Sequence, residues 1–197
     1  MIRGVLGGSF DPVHLGHVAM ARKVLAAGLV EVLVVVPAWR SPLKSGVTAG
    51  PAHRLAMTRL AFADLPGVVV DDREIARGEV VYTVETLDEL HAEHPADDLR
   101  LVVGADNLPD FPRWRSPRRI LALAEIVVLA RRGSDTDLAG LVRLGATAER
   151  LHVVADFDVP VSSTDIRAMI GPDSLPEDHL PAAVAGYIRA QRLYGAR

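Results

Sequence analysis

His14 and His17 stand three residues apart at the end of "GGSFDPVHLGH", the stretch from Gly7 to His17 in which two glycines, a serine and an Asp-Pro turn follow an apolar run. Glycines let backbone approach a ligand with no Cβ in the way. The first turn of a following helix offers unpaired N–H groups and the positive end of a dipole. The stretch from Gly7 to Asp11 therefore reads as an anion site. On a helix, residues three apart project from nearly one face, and phosphate oxygens beside His14 and His17 would push both rings toward the protonated form. Neither G-x-G-x-x-G nor G-x-x-x-x-G-K-[ST] is present. On the residues alone two plainer readings stay open: a surface histidine pair, or half of a metal site with no third ligand evident nearby.

A second group of this kind lies near the other end of the chain, in "VSSTDIR" at 161–167. Ser163 and Thr164 begin an expected helix and Arg167 follows one turn later, so hydroxyls, N–H groups and a guanidinium could meet one anion. Taken alone, the segment could equally be an ordinary cap with a solvent-facing arginine. "HAEH" at 91–94 repeats the histidine spacing, but it ends a charged helix where histidines suit the negative dipole end, and no function is expected there.

These groups need a scaffold, and the pattern of the chain supplies one. Short β-branched runs alternate with segments of helical period almost to the C-terminus, which is the mark of an α/β fold. Strands are expected at 3–7, 31–37, 68–73, 100–104, 126–130 and 151–155, nearly unalternating and so buried on both faces. Helices are expected at about 15–28, 51–63, 83–94, 117–124, 137–149, 164–170 and 181–193, with Ser116 as N-cap before Pro117. The expected architecture is a Rossmann-like, doubly wound, mainly parallel sheet with helices on both faces and a small helical C-terminal part. In such a sheet ligands bind beyond the carboxyl ends of the strands, which is where Gly7 to Asp11 fall. The one long loop, 37–51, is rich in Pro and Gly, and loops of that length are usually functional.

The bulk numbers narrow the function further. With 197 residues, 49% hydrophobic and 24% charged, the chain has the balance of one folded domain. A net charge of −3 gives no global positive field for nucleic acid or an anionic membrane. There is no cysteine, which removes disulfides, thiol nucleophiles and thiolate metal sites. The apolar run at 29–38 is too short to span a bilayer and the N-terminus lacks a signal-peptide pattern, so the cytoplasm is the expected compartment.

"GGSFDPVHLGH" closely resembles the signature of the HxGH nucleotidyltransferases, and "VSSTDIR" resembles their I-S-S-T-x-I-R element. "VYTVETL" at 81–87 and "GADNLPDFPRW" at 104–114 are similar to the S-Y-T-x-D-T-L and G-x-D…W segments of bacterial nicotinate mononucleotide adenylyltransferases. The resemblance spans nearly the whole chain. It implies transfer of AMP from ATP to nicotinate mononucleotide, with Mg²⁺ bound through the ATP phosphates and a possible homo-oligomer. It implies that His14, His17, Lys44 and Arg167 supply positive charge for catalysis. Gly8, Ser9, Phe10, Gly104, Asp106, Arg131, Ser163 and Thr164 would contact ATP, with Asp106 placed for ribose hydroxyls. Arg40, Tyr82, Thr83 and Trp114 would contact the acceptor, Trp114 by stacking on the pyridine ring. The chain departs from the family pattern at Leu43, Val81, Arg115 and Arg132. Other acceptors, nicotinamide mononucleotide or phosphopantetheine, and a non-catalytic nucleotide sensor are the alternatives.

Overall fold

The computed structural model describes residues 1–40, 49–130, 136–155, 157 and 161–196. Six strands form one sheet: β1 (Ile2–Gly8), β2 (Val32–Pro37), β3 (Val68–Val70), β4 (Asp98–Gly104), β5 (Ala124–Leu129) and β6 (Leu151–Val154). Every pairing is parallel, in the order β3-β2-β1-β4-β5-β6. The β-branched runs form the strands because such side chains pack well on a pleated surface. Burial on both faces holds for the central strands, whereas the edge strands leave Val69 at 52% and Val153 at 45% exposure.

The helices are α1 (Leu15–Ala26), α2 (Pro51–Phe62), α3 (Arg73–Arg77), α4 (Thr83–Glu93), α5 (Pro117–Leu123), α6 (Ala139–Arg143), α7 (Ser163–Met169) and α8 (Ala182–Ala190). Alternation along the strands divides the core in two. Leu6, Leu33, Val35, Val102 and Val127 pack with Val18 and Val24 of α1, Met57 and Phe62 of α2 and Ile188 of α8. Val5, Val34, Val36, Leu101 and Ile126 pack with Leu87 and Leu90 of α4, Ile120 of α5 and Leu141 of α6. Helices thus cover both faces, as a doubly wound sheet requires. Strand order reverses between β1 and β4, and a crevice at the carboxyl ends of those strands is the expected ligand position.

Two local expectations need correction. The third strand ends at Val70 and does not reach 73, because Asp71 accepts the Arg73 N–H at 2.9 Å and turns the chain into α3. The helix expected over 137–149 is only α6. Gly145, at φ +105°, ends it, with its N–H donating to Val142 and that of Ala146 donating to Leu141, a glycine stop inside a run of helical period. Ser116 is the N-cap of α5 with Pro117 first in the helix, as expected, although at φ 51° its side chain makes no capping bond.

One buried acid holds α3 against α4. The Glu74 carboxylate accepts the Thr86 hydroxyl at 2.7 Å, and burial pushes its carboxyl above the usual range, an effect the Thr86 bond only partly offsets. A carboxyl raised in the folded state is neutral in both states at low pH, and its stabilising share is lost as pH rises from the unfolded value through the folded one. Glu74→Gln keeps an acceptor for Thr86 and removes the ionisation. Its melting temperature is therefore expected to rise relative to the parent between pH 4 and pH 7, by about 2–4 °C for each kcal/mol involved. A difference that stays flat with pH would exclude this assignment.

Candidate active site

The crevice is floored by strand ends in register: Gly8 of β1 opposite Pro37 of β2, and Gly104 of β4 opposite Leu129 of β5. After β1 the chain turns sharply. Phe10 adopts φ 48° and buries its ring beneath Gly8, where a Cβ would lie 3.0 Å from Cζ. A side chain at Gly8 would press on the Phe10 ring. The Ser9 hydroxyl is buried with no hydrogen-bond partner among the described residues, a polar atom left for a ligand.

The two histidines cap α1 reciprocally. His14 is the N-cap, and its Nδ1 accepts the Gly16 N–H at 3.1 Å. His17 Nδ1 reaches back to accept the His14 N–H at 3.2 Å. Their ring centroids are 3.9 Å apart, and Phe10 packs edge-on against His17 at 4.9 Å. A ring nitrogen that accepts an N–H carries no proton, so each imidazole is held neutral with its proton on Nε2. The rings occupy two of the N–H groups at the helix start, and what they present in exchange is a pair of Nε2–H donors.

Arg54 holds the loops that shape this turn. It lies on the buried face of α2 with Met57, Thr58 and Phe62. Its Nη1 donates to Ser9 O and Ala38 O, each at 2.6 Å, its Nη2 to Trp39 O at 2.6 Å, and its Nε to Ala49 O at 3.2 Å. Burial draws the Arg54 guanidinium below its ordinary range, and the Asp11 charge partly offsets that. Asp11 is the second anchor. Its Oδ1 accepts the Ala49 N–H at 3.1 Å and the Tyr194 hydroxyl at 2.7 Å. Burial, then the bond to Asp11, pushes the Tyr194 phenol far above its usual range, so it stays a donor.

The "VSSTDIR" segment docks on the same turn. Ser162 is the cap of α7, in a reciprocal box with Asp165. Ser163 Oγ donates to Pro12 O at 3.0 Å. Arg167 donates to Asp11 O at 2.6 Å, lies 3.7 Å from its carboxylate and donates to Thr164 Oγ1 at 3.3 Å. The segment carrying Ser163, Thr164 and Arg167 is thus docked on Asp11 and Pro12, the residues that lead into His14 and His17. Lys44 and Arg131 lie outside the described residues. Arg40 is exposed, its guanidinium 5.1 Å over the Trp39 ring at the end of β2.

Beyond β4, Gly104 leaves room for Asp106, whose Oδ1 would sit 2.3 Å from a Cβ there. Asp106 is exposed and accepts a bond from Asn107 at 3.3 Å. Trp114 is half-buried on Phe111, centroids 5.0 Å apart, and its indole N–H is buried without a partner among the described residues. Tyr82 caps α4, its N–H taken by Glu85 at 2.8 Å, and Thr83 is the first helical residue. Arg115 spans the two segments, with its guanidinium carbon 4.7 Å from the Tyr82 ring centroid.

A family model described as cytidylyltransferase-like matches residues 5–169. Over 193 residues the chain is 44% identical to a probable nicotinate-nucleotide adenylyltransferase of Roseiflexus sp. (strain RS-1), covering 97% of this chain and 96% of the relative. The chain belongs to the nicotinate-nucleotide adenylyltransferase family, within the cytidylyltransferase-like group. A similarly named family member from Rhodopirellula baltica is 38% identical over 201 residues, covering 98% and 94% of the two chains. The solved structure of Plasmodium falciparum nicotinic acid mononucleotide adenylyltransferase complexed with NaAD shares the fold at TM-score 0.82 and 18% identity, covering 98% of this chain and 96% of that one.

Within this family member, sequence reasoning missed Arg54, Asp11 and Tyr194 as the frame of the site. Arg54 did leave a signal, an arginine placed on the apolar stripe of its helix. Replacing it by methionine keeps the volume and leaves four carbonyls without their donor. Arg54→Met is expected to lose on the order of 3 kcal/mol of stability, a fall of roughly 6–12 °C in melting temperature. A melting temperature within about 2 °C of the parent would show that the guanidinium does not hold these loops.

Proposed function

We propose that this chain transfers the adenylyl group of ATP to nicotinate mononucleotide in the cytoplasm, giving deamido-NAD and pyrophosphate. The observation that carries the reading is the reciprocal capping of His14 and His17 through Nδ1 at the switch point of the sheet, which makes Nε2 the donor atom of each ring. Such donors suit a group whose oxygens gain charge in the transition state. Full-length likeness to relatives of that name supports the choice of acceptor.

In the reaction a 5′-phosphate oxygen of the acceptor attacks the α-phosphorus of ATP in line. The bond from that phosphorus to the bridging oxygen breaks, and the electron pair leaves with pyrophosphate. A phosphate monoester is already anionic near neutral pH, so no general base is needed. Catalysis is then positioning and charge stabilisation. In this reading His14 and His17 donate to the α-phosphate oxygens, Ser9, Ser163 and Thr164 line the phosphate path, and Arg167 and Lys44 balance the triphosphate. Gly8, Phe10, Gly104, Asp106 and Arg131 complete the ATP side, while Arg40, Tyr82, Thr83 and Trp114 hold the acceptor. Among the described residues no three His, Asp or Glu groups lie together as a metal cage. Mg²⁺ fits as part of the nucleotide substrate, held by phosphate oxygens and water.

Pyrophosphate release with MgATP tests this reading, comparing nicotinate mononucleotide, nicotinamide mononucleotide and phosphopantetheine. Preference for the first is expected. Turnover of only another acceptor would overturn the acceptor assignment, and nucleotide binding without release would favour a sensor. His17→Ala is expected to lower kcat by about 100- to 1000-fold. Wild-type turnover by that variant would remove His17 from the mechanism.

A further inference from the structure

Arg115 stands at the mouth of the acceptor side, and neither the sequence motifs nor the proposed chemistry assigns it a role. Its guanidinium lies 4.7 Å over the Tyr82 ring, a cation–π contact that holds a flexible side chain against the start of α4. Its neighbours along the chain are paired with acids, Arg113 with Asp110 at 3.0 Å and Arg119 with Asp88 at 2.7 Å. Among the described residues no carboxylate lies within ion-pair distance of Arg115. A planar guanidinium stacked on an aromatic face keeps its edge N–H groups available for a carboxylate.

The surroundings say why a cation is needed here. The start of α4 carries a positive dipole end, but Glu85 in the first turn sets its own carboxylate against the Tyr82 N–H. That negative charge offsets the dipole, so the helix start alone is a poor selector of anions. Trp114, the residue before Arg115, offers a buried and unpartnered indole N–H beside it. A flat ring seated between these segments would bring its substituent to Arg115.

Resting on the proposed function, we infer that Arg115 is the residue that selects an acceptor bearing a pyridine carboxylate over one bearing a carboxamide. The carboxylate forms a charge-assisted bond to the guanidinium that a neutral amide cannot match. The amide also sets N–H groups against a cation with none to receive. The phosphate chemistry is common to both acceptors, so Arg115 acts on their ratio.

The test measures kcat/KM for nicotinate mononucleotide and nicotinamide mononucleotide in the parent, Arg115→Gln and Arg115→Lys, with melting temperatures as a check on folding. In Arg115→Gln the ratio of acid to amide acceptor is expected to fall roughly 10- to 100-fold, mainly through KM for the acid. Arg115→Lys should restore part of it. A ratio unchanged in Arg115→Gln, or an equal loss on both acceptors, overturns the inference while leaving the proposed function intact. A parent enzyme with no preference for the acid overturns the proposed function and this inference with it.

Discussion

Four backbone carbonyls converging on one buried guanidinium set the geometry on which the rest of the site depends. Ser9, Ala38, Trp39 and Ala49 come from three separate loop segments, and Arg54 joins them. Each carbonyl is an acceptor that water would otherwise satisfy, so the joint is stable only while the arginine stays charged and in place. The Asp11 carboxylate completes it from the other side, taking the Ala49 N–H and the Tyr194 hydroxyl. Tyr194 lies nearly at the C-terminus, so the last described turn of the chain braces the first functional one. Burying so many charges is costly unless every partner is present. Here the network also fixes a loop whose own φ of 48° at Phe10 a bulky residue adopts only under constraint.

What that frame holds is a pair of rings whose tautomers are already chosen. Each Nδ1 is occupied by a backbone N–H, and the two bonds are mutual: His14 caps the helix that carries His17, and His17 bonds the backbone of His14. The cap of α1 and the candidate chemistry are thus one structure. Two neutral donors differ from two cations in consequence. In the proposed reaction they would stabilise charge that develops on phosphate oxygens without binding the ground-state anion more tightly than needed, which is the distinction that raises kcat. Fixed positive charge comes from elsewhere, with Arg167 tied to the same turn through Asp11.

Much of this was legible in the sequence, and the exceptions have physical causes. All six strands were readable because β-branched runs buried in a parallel sheet have few other uses. The third strand was read too long, since "VVVDDRE" holds no glycine or proline to mark the turn, which the Asp71 side chain closes by accepting the Arg73 N–H. Gly145 was visible inside a run of helical period, and its left-handed conformation shows why the run stops. The residues at 14, 17, 163, 164 and 167 stood out by their resemblance to family motifs, and the second segment docks on the turn before the first, Ser163 on Pro12 O and Arg167 on Asp11 O. Arg54 was not found because its partners are main-chain atoms, and any residue supplies a carbonyl. The same holds for the histidine tautomers, which depend on ring nitrogens meeting backbone N–H groups within one helical turn.

The central claim is that the fold presets both rings as neutral donors before any substrate arrives. Long-range ¹H–¹⁵N correlation spectra of the ligand-free protein, labelled at histidine and recorded at neutral pH, test it most directly. The account predicts that His14 and His17 both show an unprotonated Nδ1 and a protonated Nε2. A proton on Nδ1 of either ring, or a doubly protonated imidazolium, would contradict it.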